Sequence, residues 1–166
     1  MGMGNILIQQ PQPYDLVGDP IRVAGLSVAF EATVQWELSE GHDMLGGFFT
    51  GGGGSAVRQF QTTITGVAGT AMKQPLMFLT LFTLSAADGS RQDETTVPLI
   101  YGPLLIDGFE GYWPYVVQAG DTLSAIAIAH YGDASRWPTI QTANQHLVPN
   151  PNLIFVGQLL RIPIGA

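Results

Sequence analysis

The segment from Tyr115 to Pro163 constrains this chain most, because its turn-forming residues separate four short apolar runs and leave few ways to fold them. Tyr115-Val116-Val117-Gln118 reads as a short strand, and Ala119-Gly120-Asp121 turns it into a helix. Thr122 caps that helix by accepting from a backbone N–H. Leu123, Ile126, Ala127 and His130 then share one face at i, i+3, i+4 and i+7, and Gly132 ends the helix. A second helix starts at Asp133 or Ser135 and runs through Arg136, Trp137, Ile140, Gln141 and Asn144. Pro149-Asn150-Pro151-Asn152 forms an extended turn, after which Leu159-Leu160-Arg161-Ile162-Pro163 returns as a strand. The order is βααβ, a small α+β domain in which a helix pair covers a two-stranded sheet.

This stretch resembles a LysM module, a small domain typically used to hold N-acetylglucosamine polymers. The residues that carry the resemblance are Gly120-Asp121-Thr122-Leu123-Ser124 with Ile126-Ala127, then Tyr131-Gly132-Asp133, Trp137-Pro138, Ile140 and Ala143-Asn144. Asn150-Pro151-Asn152 with Ile154, and Gly157-Gln158 with Leu160, Ile162 and Pro163, complete it. Val156 departs from it, standing where many members carry proline. The resemblance implies a shallow sugar groove in which Gly120, Asp121, Thr122 and Leu123 face Pro151, Asn152, Leu153 and Ile154. The chemistry is apt, since an N-acetyl group needs an amide-sized apolar niche and a glycine-containing loop lets backbone approach closely. Folding competes with binding for these residues: Thr122 caps, Gly120 turns, and Leu123, Ile126, Trp137, Ile140, Leu160 and Ile162 are assigned to the core. Asn152 is the strongest candidate ligand contact, because an amide in a proline-flanked turn has little packing value.

From Asn5 to Gly102 short strands alternate with turn residues, as in a β-sandwich. Ile6 to Gln9, Ile21-Val23-Gly25, Thr33 to Leu38, Arg58 to Ile64, Leu76 to Leu84 and Thr95 to Tyr101 are the expected strands. Val34, Trp36 and Leu38 fall on one face, and the almost wholly apolar run from Leu76 to Leu84 is expected at the centre of a sheet. Pro98 predicts an edge or a bulge, since proline cannot donate to a ladder. Ile6 to Pro11, Asp15 to Gly25, Phe30 to Val34, and Ser85-Ala86-Ala87-Asp88-Gly89-Ser90 with Val97-Pro98-Leu99 resemble the immunoglobulin-like domain of bacterial spore-germination proteins, a family with no established active site to carry over. Gly46-Gly47 and Gly51 to Gly54 read as a longer or more mobile hairpin loop.

The whole chain of 166 residues is thus expected to be mixed: an all-β immunoglobulin-like sandwich over 1–103, an apolar linker over 104–114 and a LysM domain over 115–166. Leu104, Ile106, Phe109 and Trp113 make the linker too apolar for a solvated tether, so they are expected to pack against one or both domains.

Composition narrows the partners. Charged residues make up only 11%, against roughly 25% in an average soluble domain, so the surface is largely neutral and polar. A net charge of −7 with six scattered Lys and Arg excludes nucleic acid. Cysteine is absent, which removes disulfides, thiolate metal sites and thiol nucleophiles. No apolar run reaches the length of a membrane span. The start Met1-Gly2-Met3-Gly4-Asn5 lacks the signal-peptide pattern, which implies a cytoplasmic protein if Met1 is native, and a cell-envelope or extracellular one if a leader was trimmed.

Catalytic and metal chemistry find no constellation. Glu31, Glu37 and Glu40 are the candidates for paired glycosidase carboxylates, but Glu31 and Glu37 lie in or beside a strand, facing away from its apolar side, and read as a solvated sheet face. His42, His130 and His146 lack metal-site spacing, and Ser55 lacks a nucleophile elbow. No cofactor is implied. The expected function is non-catalytic binding of peptidoglycan or another N-acetylglucosamine polymer, with the sandwich as spacer or protein-partner surface. The alternative is a structural adaptor in a phage-tail-like assembly, where LysM-like modules serve protein contacts. Small-ion sensing, a third class, has no side-chain cluster to carry it.

Overall fold

Strand alternation in the first hundred residues resolves into two antiparallel sheets in the computed structural model, which describes residues 5–28, 33–52 and 56–165. The readings placed on Met1 to Gly4, on Phe30-Glu31-Ala32, and on Gly53-Gly54 with Ser55 fall outside the described residues. The chain divides into two compact units, Met1–Ile100 and Tyr101–Ala166.

In the first unit β1 (Ile6–Gln10), β3 (Ile21–Ser27) and β6 (Arg58–Ile64) form a three-stranded sheet in the order β1-β3-β6. The second sheet runs β2-β8-β7-β4-β5, from β2 (Asp15–Val17), β8 (Arg91–Tyr101), β7 (Leu76–Leu84), β4 (Thr33–Ser39) and β5 (Met44–Thr50). β7 is the central strand, as its apolar run requires. Inward residues of both sheets are buried, among them Ile21, Val23, Phe60 and Ile64 on one and Val34, Leu38, Met77, Leu79, Leu81, Val97 and Leu99 on the other. The rings of Phe49 and Phe60 lie 4.9 Å apart. Residues alternating in and out across two facing sheets make a β-sandwich.

Two expectations change here. Gly46-Gly47 is not loop but the middle of β5, with Gly47 opposite Trp36 and Gly46 opposite Glu37. A Cβ on Gly47 would come within 2.7 Å of the Trp36 ring, so the glycine is there to seat an indole rather than to loosen a turn. Pro98 lies within β8, which has β7 on one side and β2 on the other, and the irregular register falls at Leu81/Thr83 instead. In an antiparallel strand the N–H and C=O of one residue face the same way. The Pro98 carbonyl accepts from the Tyr14 backbone N–H at 2.7 Å, so its missing donor faces the β2 side and the ladder to β7 loses nothing.

The second unit has the expected order. β9 (Gly111–Val116) pairs antiparallel with β10 (Leu159–Ile164), from Gly111 opposite Ile164 to Val116 opposite Leu159. Its first strand therefore starts four residues before Tyr115 and ends at Val116. Before it, a turn of 3-10 helix covers Gly102–Leu104, Ile106 is buried beside Gly165, and Phe109 lies against Gly102. Leu104 and Trp113, expected to pack, are 40% and 59% exposed.

α1 (Leu123–Tyr131) is capped by Thr122, whose hydroxyl accepts from the Ala125 N–H at 3.1 Å, and closed by Gly132 at φ 71°. Leu123, Ile126 and Ala127 are buried as the period predicts, but His130 is exposed, its ring edge-on to Tyr115 at 5.6 Å. The next residue, Tyr131, takes the inward position and donates to the Pro163 carbonyl at 3.0 Å, and burial pushes its phenol up to about 12. The second helix is split: 3-10 geometry over Ala134–Arg136 precedes α2 (Trp137–Ala143), because Pro138 has no N–H to continue the α ladder backwards. Leu123, Ile126, Ala127, Ile140, Val148, Leu160 and Ile162 form the core of this unit.

Burial, reinforced by the nearby Arg161 charge, holds His146 below its ordinary pKa. A histidine whose folded pKa is depressed binds its proton more readily when unfolded, so stability is full above the unfolded value near 6.5 and declines as pH falls below it. Melting this unit between pH 7.5 and 5 is expected to show that decline, and His146→Gln is expected to flatten it.

Candidate functional site

The loop that follows β9 is built around Asp121. Its Oδ2 accepts from the Gln118 N–H at 2.7 Å and from the Tyr115 hydroxyl at 2.8 Å, and this bond to the carboxylate pushes the Tyr115 pKa up. Gly120, at φ 90°, supplies the left-handed turn between them. The opposing loop is held from within. Asn150 Oδ1 accepts from the Asn152 N–H at 3.0 Å, Gln158 Oε1 accepts from the Phe155 N–H at 3.1 Å, and Gln158 Nε2 donates to the Leu147 carbonyl at 3.1 Å.

Between the two loops lies a groove of about 370 Å³ lined by Asp121, Thr122, Leu123, Ser124, Trp137, Pro151, Asn152 and Ile154. Six of the eight residues expected there are brought together. Gly120 and Leu153 do not line it: Gly120 shapes the turn behind, and Leu153 points to solvent at 55% exposure. Ser124 and Trp137 do line it. Trp137, a core residue by the sequence, does pack against the core cluster, but it sits at the first turn of α2 and also lines the groove. Its position beside Pro138, at a helix start rather than mid-helix, is the sequence signal for this double role.

The internal bonds sort the lining. Leu123 is 3% exposed, Thr122 is spent on the cap, and the Asp121 carboxylate on the loop, which leaves little of these side chains for a ligand. The Asn152 amide carries no internal hydrogen bond among the described residues. The groove therefore offers an indole face, an aliphatic floor, a free amide and two backbone loops, with its one carboxylate already engaged. That set suits a neutral ligand with apolar faces and amide groups. Thr122→Ala is expected to lower the stability of this unit by about 1 kcal/mol in a chemical melt, through the cap alone.

Comparison with known families agrees with this geometry. Residues 5–90 match the immunoglobulin-like domain of bacterial spore germination. The chain belongs to that family. Residues 115–163 match the LysM domain, so the groove is that of a LysM unit.

Among curated relatives, an esterase of Mycobacterium tuberculosis is 53% identical over 51 residues, 31% of this chain and 11% of the esterase. The potassium binding protein Kbp of Escherichia coli is 47% identical over 49 residues, 30% of this chain and 33% of that protein. The chain thus spans between about a tenth and a third of the length of these relatives. No solved structure matches it.

Elsewhere the carboxylates have structural partners. Glu37 pairs with Arg91 on the outer face of the five-stranded sheet, and Glu40 accepts from the backbone N–H groups of Lys73 and Gln74. No group of three or more metal-ligating His, Asp or Glu side chains occurs among the described residues. No helix among them is long and apolar enough to cross a membrane.

Proposed function

We propose that this chain is a non-catalytic glycan-binding protein whose LysM groove holds N-acetylglucosamine units of peptidoglycan or a related polymer, with the sandwich serving as spacer or partner surface. The observation that carries the reading is the pairing of Trp137 with the unengaged Asn152 amide across one groove. The indole gives the sugar's C–H face an apolar platform, and the amide can both donate to and accept from an N-acetyl group. Asp121, Thr122 and Leu123 form one wall on the turn that Gly120 makes behind them, and Pro151 and Ile154 stand opposite, on the loop that carries Leu153. Sedimentation with insoluble peptidoglycan tests this. The wild type is expected in the pellet, and Trp137→Ala and Asn152→Ala are each expected to weaken association about tenfold, equivalent to ~1.4 kcal/mol, without loss of helical signal. A wild type that stays in the supernatant ends the glycan reading.

One observation favours a second reading, a structural adaptor in a phage-tail-like or other multiprotein assembly. Phe155 and Val156, 66% and 70% exposed, sit on the loop just beyond the groove, and paired exposed apolar side chains of this kind suit a protein contact. Phe155→Ser separates the two, leaving glycan pelleting unchanged and abolishing an adaptor contact.

A further inference from the structure

Every sheet edge must be covered, blocked or used. β9 carries Pro114 on its edge, and the Val116 carbonyl there accepts from Gln118 Nε2 at 2.8 Å. β10 is blocked by Pro163, by Tyr131 on the Pro163 carbonyl, and by Asn144 on Arg161. In the first unit β2 is only three residues long, β1 breaks register between Ile8 and Gln10 and then meets Pro11, and β6 opens with Arg58. Among the described residues, β5 has none of these devices. It closes the five-stranded sheet, pairs with β4 along all seven residues, and reads Met-Leu-Gly-Gly-Phe-Phe-Thr without a charge or a proline.

Its side chains alternate. Leu45, Gly47 and Phe49 face inward, whereas Met44 and Phe48 on the outer face are 61% and 73% exposed, with Gly46 between them. Directly opposed residues of an antiparallel pair lie on the same side of a sheet, so two copies of this strand can meet only in registers that match outer with outer. A two-fold axis at Gly46 does this. It sets Met44 against Phe48 of the other copy, twice, and puts the two Gly46 residues together on the axis where no side chain obstructs either ring. The two large apolar side chains on the outer face of the strand thereby cover each other through thioether–aromatic contacts. No like charges are opposed, since Asp43 falls opposite Phe49.

We infer that β5 is a self-association edge, through which two copies of this chain join antiparallel about Gly46 into one continuous ten-stranded sheet. The occupant is a second copy because the strand complements itself, and such an interface is isologous and closed.

The absence of cysteine makes the test direct. Light scattering is expected to give twice the 17.7 kDa of one chain. Phe48→Lys, at an exposed position, is expected to return the mass to one chain with an unchanged circular dichroism spectrum. Gly46→Cys, where an added Cβ meets nothing closer than 3.4 Å, is expected to form an intermolecular disulfide under mild oxidation, because its partner's Cα lies within the range a disulfide spans. Thr50→Cys, whose partner in this register is His42, is expected to cross-link at least tenfold less. A monomeric wild type, a dimer that survives Phe48→Lys, or cross-linking at residue 50 as readily as at 46 each overturns the inference.

Discussion

Asn144→Leu is expected to unfold the LysM unit at room temperature while leaving the sandwich folded. Asn144 is fully buried and closes the free edge of β10. Its Nδ2 donates to the carbonyls of Ile140 and Arg161 at 2.7 Å each, and its Oδ1 accepts from the Arg161 N–H at 2.8 Å. One side-chain amide thus imitates the strand that β10 lacks and fastens α2 to the sheet. Leucine fills similar volume but strands both backbone groups of Arg161. At about 1–3 kcal/mol for each buried group left without a partner, the loss is about 3–5 kcal/mol. A unit of this size has about 3–10 kcal/mol in total. Far-ultraviolet circular dichroism should lose its helical component, since both α-helices among the described residues lie in this unit, and a urea titration should show one surviving transition from the sandwich.

Gly25→Ala is expected to cost the sandwich about 3 kcal/mol, read as a lower urea midpoint for that transition. Gly25 lies in β3, the middle strand of its sheet, opposite Ile8 on one side and Phe60 on the other. A Cβ there would stand 2.1 Å from the Leu7 carbonyl oxygen and 2.8 Å from the Phe60 ring. The first neighbour is backbone and cannot rotate away, so β1 itself would have to move. Gly46→Ala, on an open face, is expected to shift the same midpoint by no more than about 0.5 kcal/mol. The contrast isolates crowding from the entropy that any glycine-to-alanine change brings.

These two positions also show where sequence reading reaches and where it stops. The caps and turns of the LysM unit were legible because they are local: Thr122, Gly120 and Gly132 act on backbone within a few residues of themselves. Strand periodicity likewise located β3, β4, β6 and β7. What escaped depended on partners far along the chain. Gly47 looked like a loop residue until Trp36 lay opposite it, and β9 was placed short because Gly111 to Pro114 become strand only through pairing with Arg161 to Ile164. His130 and Tyr131 are neighbours competing for one inward position, and helix period alone does not rank them. Asn144 counted as one more helical residue, since nothing nearby reveals the edge it closes. In the groove, six of eight residues followed from the resemblance, while the open side of Trp137 depended on how the first turn of α2 is set.

Gly111 and Ile164 are partners at one end of the β9–β10 ribbon, and the loops around Asp121 and Asn152 spring from the other. The polypeptide thus enters and leaves the LysM unit side by side, at the pole away from its groove. Such a unit is portable: it can be spliced onto a host chain through two adjacent junctions, and the splice leaves the groove loops untouched.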